Sequence, residues 1–221
     1  MRKRILALLI GAAGVMGLGA GGSAFAECGK GKAIVSDTFE TLDSASWGAA
    51  NDQQFVEKGW LQIKPKPGYT YQILSQSDFY GDGSLCGEVK IVETGNLDAT
   101  NGGLVFWATD YSNYYKVTVG PSENQGGFWV SRLTKGRWLT PVSWTVDPVI
   151  KAKLGDVNRI EVQMKGRTAT IFINCKQLAQ FNGFPPEGGG LIGVSGGAPE
   201  PGGAKIAFDN VEFTAAAGFR P

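Results

Sequence analysis

The sequence predicts an all-β domain built as an antiparallel sandwich. Apolar and polar residues alternate with a period of two over many short segments, which is typical of strands with one buried face. Turn-forming residues separate these segments, and the 33 glycines suit turns in which φ is positive. After the N-terminal segment, the only helical candidate is a short stretch at 147–153.

The first 26 residues have the pattern of a secretory signal peptide. A basic segment (2–4) precedes an apolar, Gly- and Ala-rich run (5–22), and residues 23–26 provide small residues for cleavage. An uncleaved transmembrane anchor remains an alternative, because the apolar run is nearly long enough to span a bilayer. A lipoprotein is a second alternative at Cys28, although Glu27 does not suit a lipid-attachment signal. Cleavage predicts a periplasmic or secreted protein.

Residues 27–221 are then expected to form a single domain of 195 residues, enough for a sizeable core. Without the three basic residues at 2–4, 18 basic residues face 20 acidic ones, a net charge of −2. This balance argues against a nucleic-acid partner, and no later segment is apolar enough to span a membrane. We expect a monomer without a metal or cofactor. The absence of histidine excludes Ser–His and Cys–His nucleophiles and the usual zinc sites.

The three cysteines predict one disulfide and one free thiol in an oxidising compartment. Pairing of Cys28 with Cys86 is favoured, because it would attach the N-terminus to a strand and close a long loop. Cys175 would then be a free, partly exposed thiol in a hairpin turn. Pairing of Cys86 with Cys175 stays open as an alternative.

Alternation indicates the following strands in chain order: 60–64, 88–93, 104–108, 113–119, 128–132, 159–164, a hairpin of 168–173 with 177–181, and 204–214. Four of the six Trp residues lie in one block, 102–145, which is rich in aromatic residues and in turn-forming residues; we call it the aromatic block. The Gly- and Pro-rich run at 196–203 is predicted to be a loop between the last two strands.

Several segments resemble a known family: DTF (37–39), NYYKV (113–117), GRW (136–138), NRIEV (158–162), GGGLIG (188–193) and FDNVEF (208–213). In this order they are similar to the concanavalin A-like lectin/glucanase superfamily. The nearest group is the secreted bacterial proteins similar to family 16 glycoside hydrolases and the 3-keto-disaccharide hydrolase domain. The resemblance covers nearly all of residues 27–221 and implies a jelly-roll β-sandwich. It does not assign an activity, because this fold serves lectins, hydrolases and adhesion modules.

The resemblance implies a test for hydrolase chemistry. Family 16 enzymes carry Glu-x-Asp-x-x-Glu on one strand, and retaining chemistry needs two carboxyls about 5–5.5 Å apart. The nearest match places Glu88 and Glu93 at the outer positions but Lys90 at the middle one. A lysine there would keep its neighbours ionised, which is the reverse of what a general acid needs. The alternative is a half-buried strand with Val89 and Ile91 inward and with Glu88 and Lys90 paired on the face exposed to water.

The aromatic block predicts a sugar-binding face. Alternation places Trp107 on the face of Val105, and it turns Tyr114, Lys116 and Thr118 away from an inward set of Tyr115, Val117 and Val119. In the next strand Trp129 shares a face with Ser131, while Arg132 shares one with Phe128. We expect the side chains of this face to stack against a sugar ring and to hydrogen-bond its hydroxyls. The ligand-binding candidates are Trp107, Asp110, Tyr111, Tyr114, Arg132 and Trp138. The alternative is that these rings fill the core.

The sequence thus predicts an exported, carbohydrate- or glycan-binding jelly-roll module that is not catalytic. One alternative is a glycoside hydrolase-like enzyme acting on a di- or oligosaccharide. Another is a structural envelope domain that binds protein. Asp209 and Asn210 could contribute to a calcium site, but a turn or strand-edge role is favoured for them, because no second acidic cluster is present.

Overall fold

Extended chain dominates the computed structural model, which describes residue 29 and residues 33–76, 78–122 and 125–216. The strands are β1 (Ala33–Asp37), β2 (Gln54–Glu57), β3 (Trp60–Ile63), β4 (Thr70–Leu74), β5 (Gly83–Thr94), β6 (Asn101–Asp110), β7 (Asn113–Ser122), β8 (Gln125–Thr134), β9 (Arg137–Val146), β10 (Asn158–Lys165), β11 (Thr168–Ile173), β12 (Lys176–Asn182), β13 (Leu191–Gly197) and β14 (Ala204–Ala215). One turn of α-helix, α1 (Ser44–Trp47), and a 3-10 turn (Leu97–Ala99) interrupt them. The short stretch at 147–153 forms turns and contains no helix.

The strands pair antiparallel in two sheets. An eight-stranded sheet has the order β12-β11-β10-β5-β14-β3-β2, and β1 also pairs with β14. A six-stranded sheet has the order β4-β13-β6-β7-β8-β9. Chain neighbours β6 to β9 are also sheet neighbours, whereas β13 returns from far along the sequence to lie between β4 and β6. The prediction of an all-β antiparallel sandwich is confirmed.

The core lies between the two sheets and is built from alternate residues of each strand. Ile160, Val162 and Met164 of β10 are buried, as their spacing predicts, and Phe208 of β14 packs beside them. Leu104, Phe106, Val117, Phe128 and Val194, all from the six-stranded sheet, cover them from the other side. Each strand of a half-buried sheet has to alternate in this way, because successive side chains point to opposite faces.

The hairpin predicted between β11 and β12 is present, and it turns at Asn174 and Cys175. Both residues have positive φ (49° and 68°), the pattern of a two-residue turn whose twist matches that of the flanking strands. Cys175 is exposed and free, so the alternative pairing of Cys86 with Cys175 is wrong. Cys86 is buried in β5, while Cys28 and the predicted signal peptide (1–26) lie outside the described residues. The Cys28–Cys86 disulfide therefore stays a prediction.

Among the described residues there is no helix of the length and apolarity needed to cross a bilayer.

Candidate functional site

The six-stranded sheet has a second face, turned away from the core, that carries both polar and aromatic side chains. On β7, Tyr115, Val117 and Val119 enter the core, so Tyr114, Lys116 and Thr118 lie on the opposite side, as the sequence predicts. On β8 the core residues Phe128 and Val130 alternate with Trp129 and Ser131. We call this surface the outer face, and define it by Gln72, Asn101, Tyr114, Lys116, Thr118, Trp129, Ser131, Trp138, Trp144 and Ser195.

Five side-chain oxygens on the outer face are buried without a hydrogen-bond partner among the described residues. They belong to Gln72, Asn101, Thr118, Ser131 and Ser195, which come from five of the six strands of the sheet. Buried polar groups are nearly always hydrogen-bonded, and an unpaired one costs roughly 1–3 kcal/mol. Such a concentration of unpaired groups on one surface is therefore typical of a site that a polar ligand completes.

Lys116 lies beside two of these oxygens, those of Ser131 and Thr118, and is itself buried. Only 6% of the residue is exposed, and it stands opposite Ser131 of β8 and Val105 of β6 in the strand register. Its Nζ lies 5.3 Å from the centroid of the Trp138 ring. Burial lowers the pKa of the Lys116 amine to about 8, because the charged form is stripped of water.

Three tryptophans of β8 and β9 form the aromatic part of the outer face. Trp129 and Trp144 pack with their ring centroids 5.4 Å apart, and Trp138 meets Tyr114 edge-on at 5.9 Å. Gly127 leaves the space that Trp144 occupies, because a Cβ at this position would be 2.3 Å from the ring. Trp138 is 54% exposed and Trp144 is also exposed. Exposed indole rings beside polar groups are suited to stacking against the apolar face of a sugar ring.

A cavity of about 450 Å³ opens beside the rings of Trp129 and Trp144. Six of its lining residues are Asp98, Thr100, Asn101, Trp129, Thr140 and Trp144. The 3-10 turn that carries Asp98 forms one wall, and strand β9 forms the other. The volume lies within the range of about 300–1,000 Å³ that small-molecule sites occupy.

Trp107, the first of the sequence-predicted site residues, is not on the outer face. Its φ is +49°, and the pairing of β6 with β7 is irregular between Phe106 and Asp110. This bulge reverses the alternation, so that Trp107 follows Phe106 into the core, where its ring contacts Tyr115 and Phe181. Only 5% of Trp107 is exposed. The prediction that it shares a face with Val105 was wrong for this reason.

Asp110 and Tyr111 lie in the turn between β6 and β7. The Asp110 carboxylate accepts hydrogen bonds from the Ser112 backbone N–H at 2.6 Å and from Asn113 Nδ2 at 3.0 Å. These bonds, that from Ser112 first, hold the pKa of Asp110 below its ordinary value. The side chain therefore closes the turn, whereas Tyr111 beside it is exposed.

Arg132 and Tyr114 lie on opposite faces of the sheet. The Arg132 guanidinium Cζ is 5.1 Å from the centroid of the Tyr115 ring and 4.9 Å from that of Phe184, at the end of the sandwich. Tyr114 is buried on the outer face, where Gln72 Nε2 donates to its hydroxyl. A smaller cavity of about 190 Å³ at the sheet end touches Trp107, Tyr114 and Arg132. The six ligand-binding candidates predicted from the sequence therefore do not share one face. Of these six, only Tyr114 and Trp138 belong to the outer face.

The two acids of the hydrolase-like motif lie on β5, in the other sheet. Val89 and Ile91 point inward, as predicted, but Glu88 is only 3% exposed instead of facing water. Its Oε2 accepts a hydrogen bond from Asn210 Nδ2 at 3.1 Å. Glu93 is exposed and stands opposite Lys205 in the register, so the structure does not pair it with Glu88.

The carboxyl that does neighbour Glu88 is Asp209, which stands opposite it in the register of β14 and β5. Burial first, and the negative charge of Glu88 in addition, raise the pKa of Asp209 to about 6. Both acids lie on the sheet that does not carry the outer face, and neither lines a cavity described above. The described residues contain no cluster of acids, cysteines or histidines suited to a metal ion.

Sequence comparison finds no matching family model and no similar curated protein. Solved structures, in contrast, are similar across most of the chain. The carbohydrate-binding module CBM66 from Bacillus subtilis has a TM-score of 0.61 at 15% identity, covering 77% of this chain and 96% of that one. A β-glucanase from Bacillus licheniformis has a TM-score of 0.61 at 9% identity, covering 85% and 100%. The catalytic domain of a laminarinase from Thermotoga petrophila has a TM-score of 0.61 at 8% identity, covering 86% and 99%.

These similarities show the fold alone: the chain is a jelly-roll β-sandwich, the fold that the resemblance in its sequence motifs implies.

Proposed function

We propose that this jelly-roll domain is an exported glycan-binding module whose ligand lies on the outer face of the six-stranded sheet. One observation carries the proposal: five buried side-chain oxygens without described partners lie on the same face of the sheet as Trp129, Trp138 and Trp144. A sugar offers a C–H face for the indole rings and hydroxyls for the unpaired oxygens. Each hydrogen bond so formed contributes about 0.5–1.5 kcal/mol net and removes the cost of an unpaired group.

The chemistry of the cavity supports binding more than hydrolysis. Glycoside hydrolysis needs two carboxyl groups on either side of the scissile bond. Among the described residues that line the 450 Å³ cavity, Asp98 is the only acid. The similar solved structures include both a carbohydrate-binding module and glucanases, and the residues of the site favour the first of these two functions for this chain.

A glycan array with the purified protein tests the proposal, followed by calorimetry on any glycan that binds. The Trp144→Ala variant should weaken binding at least tenfold, because it removes an exposed ring of the site. Trp60→Ala is the matched control. Trp60 is on β3 of the eight-stranded sheet, under the Lys90 ammonium, and its loss should leave affinity unchanged.

The absence of binding to any glycan would contradict the proposal and favour the structural-domain alternative. Hydrolysis of a bound oligosaccharide, monitored by its reducing ends, would contradict the non-catalytic part alone.

A further inference from the structure

We propose that the glycan carries an anionic group, a carboxylate or a sulfate, and that Lys116 binds it. The inference rests on the proposed function, since it identifies the class of ligand for the same outer face. It depends on the burial of Lys116, on the identity of its neighbours, and on a comparison with a second, half-buried lysine that also lies over a tryptophan, on the other sheet.

Lys116 has no counter-charge among the residues that the structure describes. The two ion pairs found there, Lys176–Asp147 and Lys205–Glu57, are elsewhere. A buried ammonium is costly unless it is paired, because its hydration is lost. Lysines are seldom buried without a partner of opposite charge, yet only 6% of the surface of Lys116 is exposed. A ligand that brings a negative charge would compensate for this loss.

The described neighbours of Lys116 on the outer face are neutral at pH 7. Ser131 and Val105 are its partners in the register, and Thr118 and Tyr114 are the outer-face residues on either side of it along β7. The Trp138 ring attracts the ammonium across 5.3 Å. The ring is no substitute for an oxygen acceptor, so it does not satisfy the three N–H donors of the ammonium. The hydroxyls of Ser131 and Thr118, buried and unpaired, could hydrogen-bond the same anionic group.

Lys90 provides the comparison within the same molecule. Its Nζ lies 3.4 Å from the centroid of the Trp60 ring, so it too is a lysine over a tryptophan, but on the eight-stranded sheet. Burial lowers the pKa of Lys90, but two carboxylates, Asp209 and Glu88, oppose this effect and favour its charged form. The protein therefore supplies the counter-charge at Lys90, whereas at Lys116 we assign it to the ligand.

The test compares acidic oligosaccharides with neutral forms of the same chain. Oligogalacturonate and its carboxyl-reduced product form one pair, and a chondroitin sulfate oligosaccharide and its desulfated, carboxyl-reduced product form the second. Wild-type protein should bind at least one acidic member at least tenfold more tightly than its neutral partner. Oligogalacturonate carries carboxylates alone, whereas chondroitin sulfate carries both groups, so a desulfated chondroitin oligosaccharide that keeps its carboxylates distinguishes a sulfate from a carboxylate.

The Lys116→Met variant keeps the length of the side chain without its charge, and it should lose that tenfold preference. The control variant, Lys90→Met, should retain it. Equal affinity of the wild-type protein for acidic and neutral forms, or a preference that persists in Lys116→Met, would overturn the inference. Binding of neutral glycans alone would overturn it while leaving the proposed function intact, and no binding to any glycan would overturn both. The comparison within the wild-type protein requires no variant to fold.

Discussion

A lysine buried without a counter-charge should lower the stability of the free protein, and Lys116→Met tests this directly. Methionine has a similar length and no charge, so it fills the space beside Ser131 and Trp138 without needing hydration. The free energy of unfolding should therefore increase on substitution. This outcome is the reverse of the usual one, because most substitutions of buried residues are destabilising.

The magnitude follows from the pKa of the amine, which is 10.5 for an unperturbed lysine and about 8 in the fold. That difference corresponds to roughly 3 kcal/mol between the charged and neutral forms. Below pH 8 the amine is charged in both the folded and the unfolded chain, so the full cost applies. Between pH 8 and 10.5 the folded chain releases its proton first, and the wild-type protein becomes more stable relative to the variant.

Urea denaturation at pH 7 and pH 10 measures the effect. Lys116→Met should gain about 2–3 kcal/mol at pH 7 and less than about 1 kcal/mol at pH 10. Lys165→Met is the control, because this side chain is exposed, and it should change stability by less than about 0.5 kcal/mol. A Lys116→Met variant that is less stable than wild type at pH 7, or a gain in stability that does not depend on pH, would show that the buried amine does not destabilise the fold.

Three further predictions concern the residues around the site and the cysteines. Trp107→Ala should destabilise the domain by about 3–5 kcal/mol in urea denaturation, since its ring packs in the core; a loss of less than about 1 kcal/mol would contradict the bulged position of Trp107. Asp110→Ala should cost about 1 kcal/mol, because the carboxylate closes a turn, and it should change glycan affinity less than twofold; a tenfold weakening would restore Asp110 to the binding site. In the native protein, a thiol reagent should modify Cys175 alone, with peptide mapping under non-reducing conditions linking Cys28 to Cys86; modification of Cys86 would contradict that pairing.

Alternation along one strand is a local property, and what depends on it could be predicted from the sequence. The inward set of β7 (Tyr115, Val117, Val119) and the outward set beginning at Tyr114 follow from a period of two and are confirmed. Trp107 could not be placed in this way, because a single residue with positive φ reverses the pattern for the rest of the strand. That bulge is stabilised by ring contacts with Tyr115 and Phe181, which only the folded chain brings together.

The polar half of the outer face could be predicted only in part. Lys116, Thr118 and Ser131 are near the aromatic residues along the chain, and alternation turns them to the side of Trp129 or Tyr114. Gln72 and Ser195 are far apart in the sequence and meet only because β13 inserts between β4 and β6. Their contribution depends on sheet topology, for which a period of two contains no information.

The position of a bound glycan is the most direct test of this account, and the six tryptophans report it. Their indole N–H signals in an NMR titration sample the whole domain: Trp47 in the core, Trp60 on the eight-stranded sheet, Trp107 at the sheet end, and Trp129, Trp138 and Trp144 on the outer face. A glycan that binds the protein should shift the last three signals and leave those of Trp47 and Trp60 unchanged. Shifts confined to Trp107, or to Trp60, would place the ligand elsewhere and contradict the assignment of the outer face as the binding site.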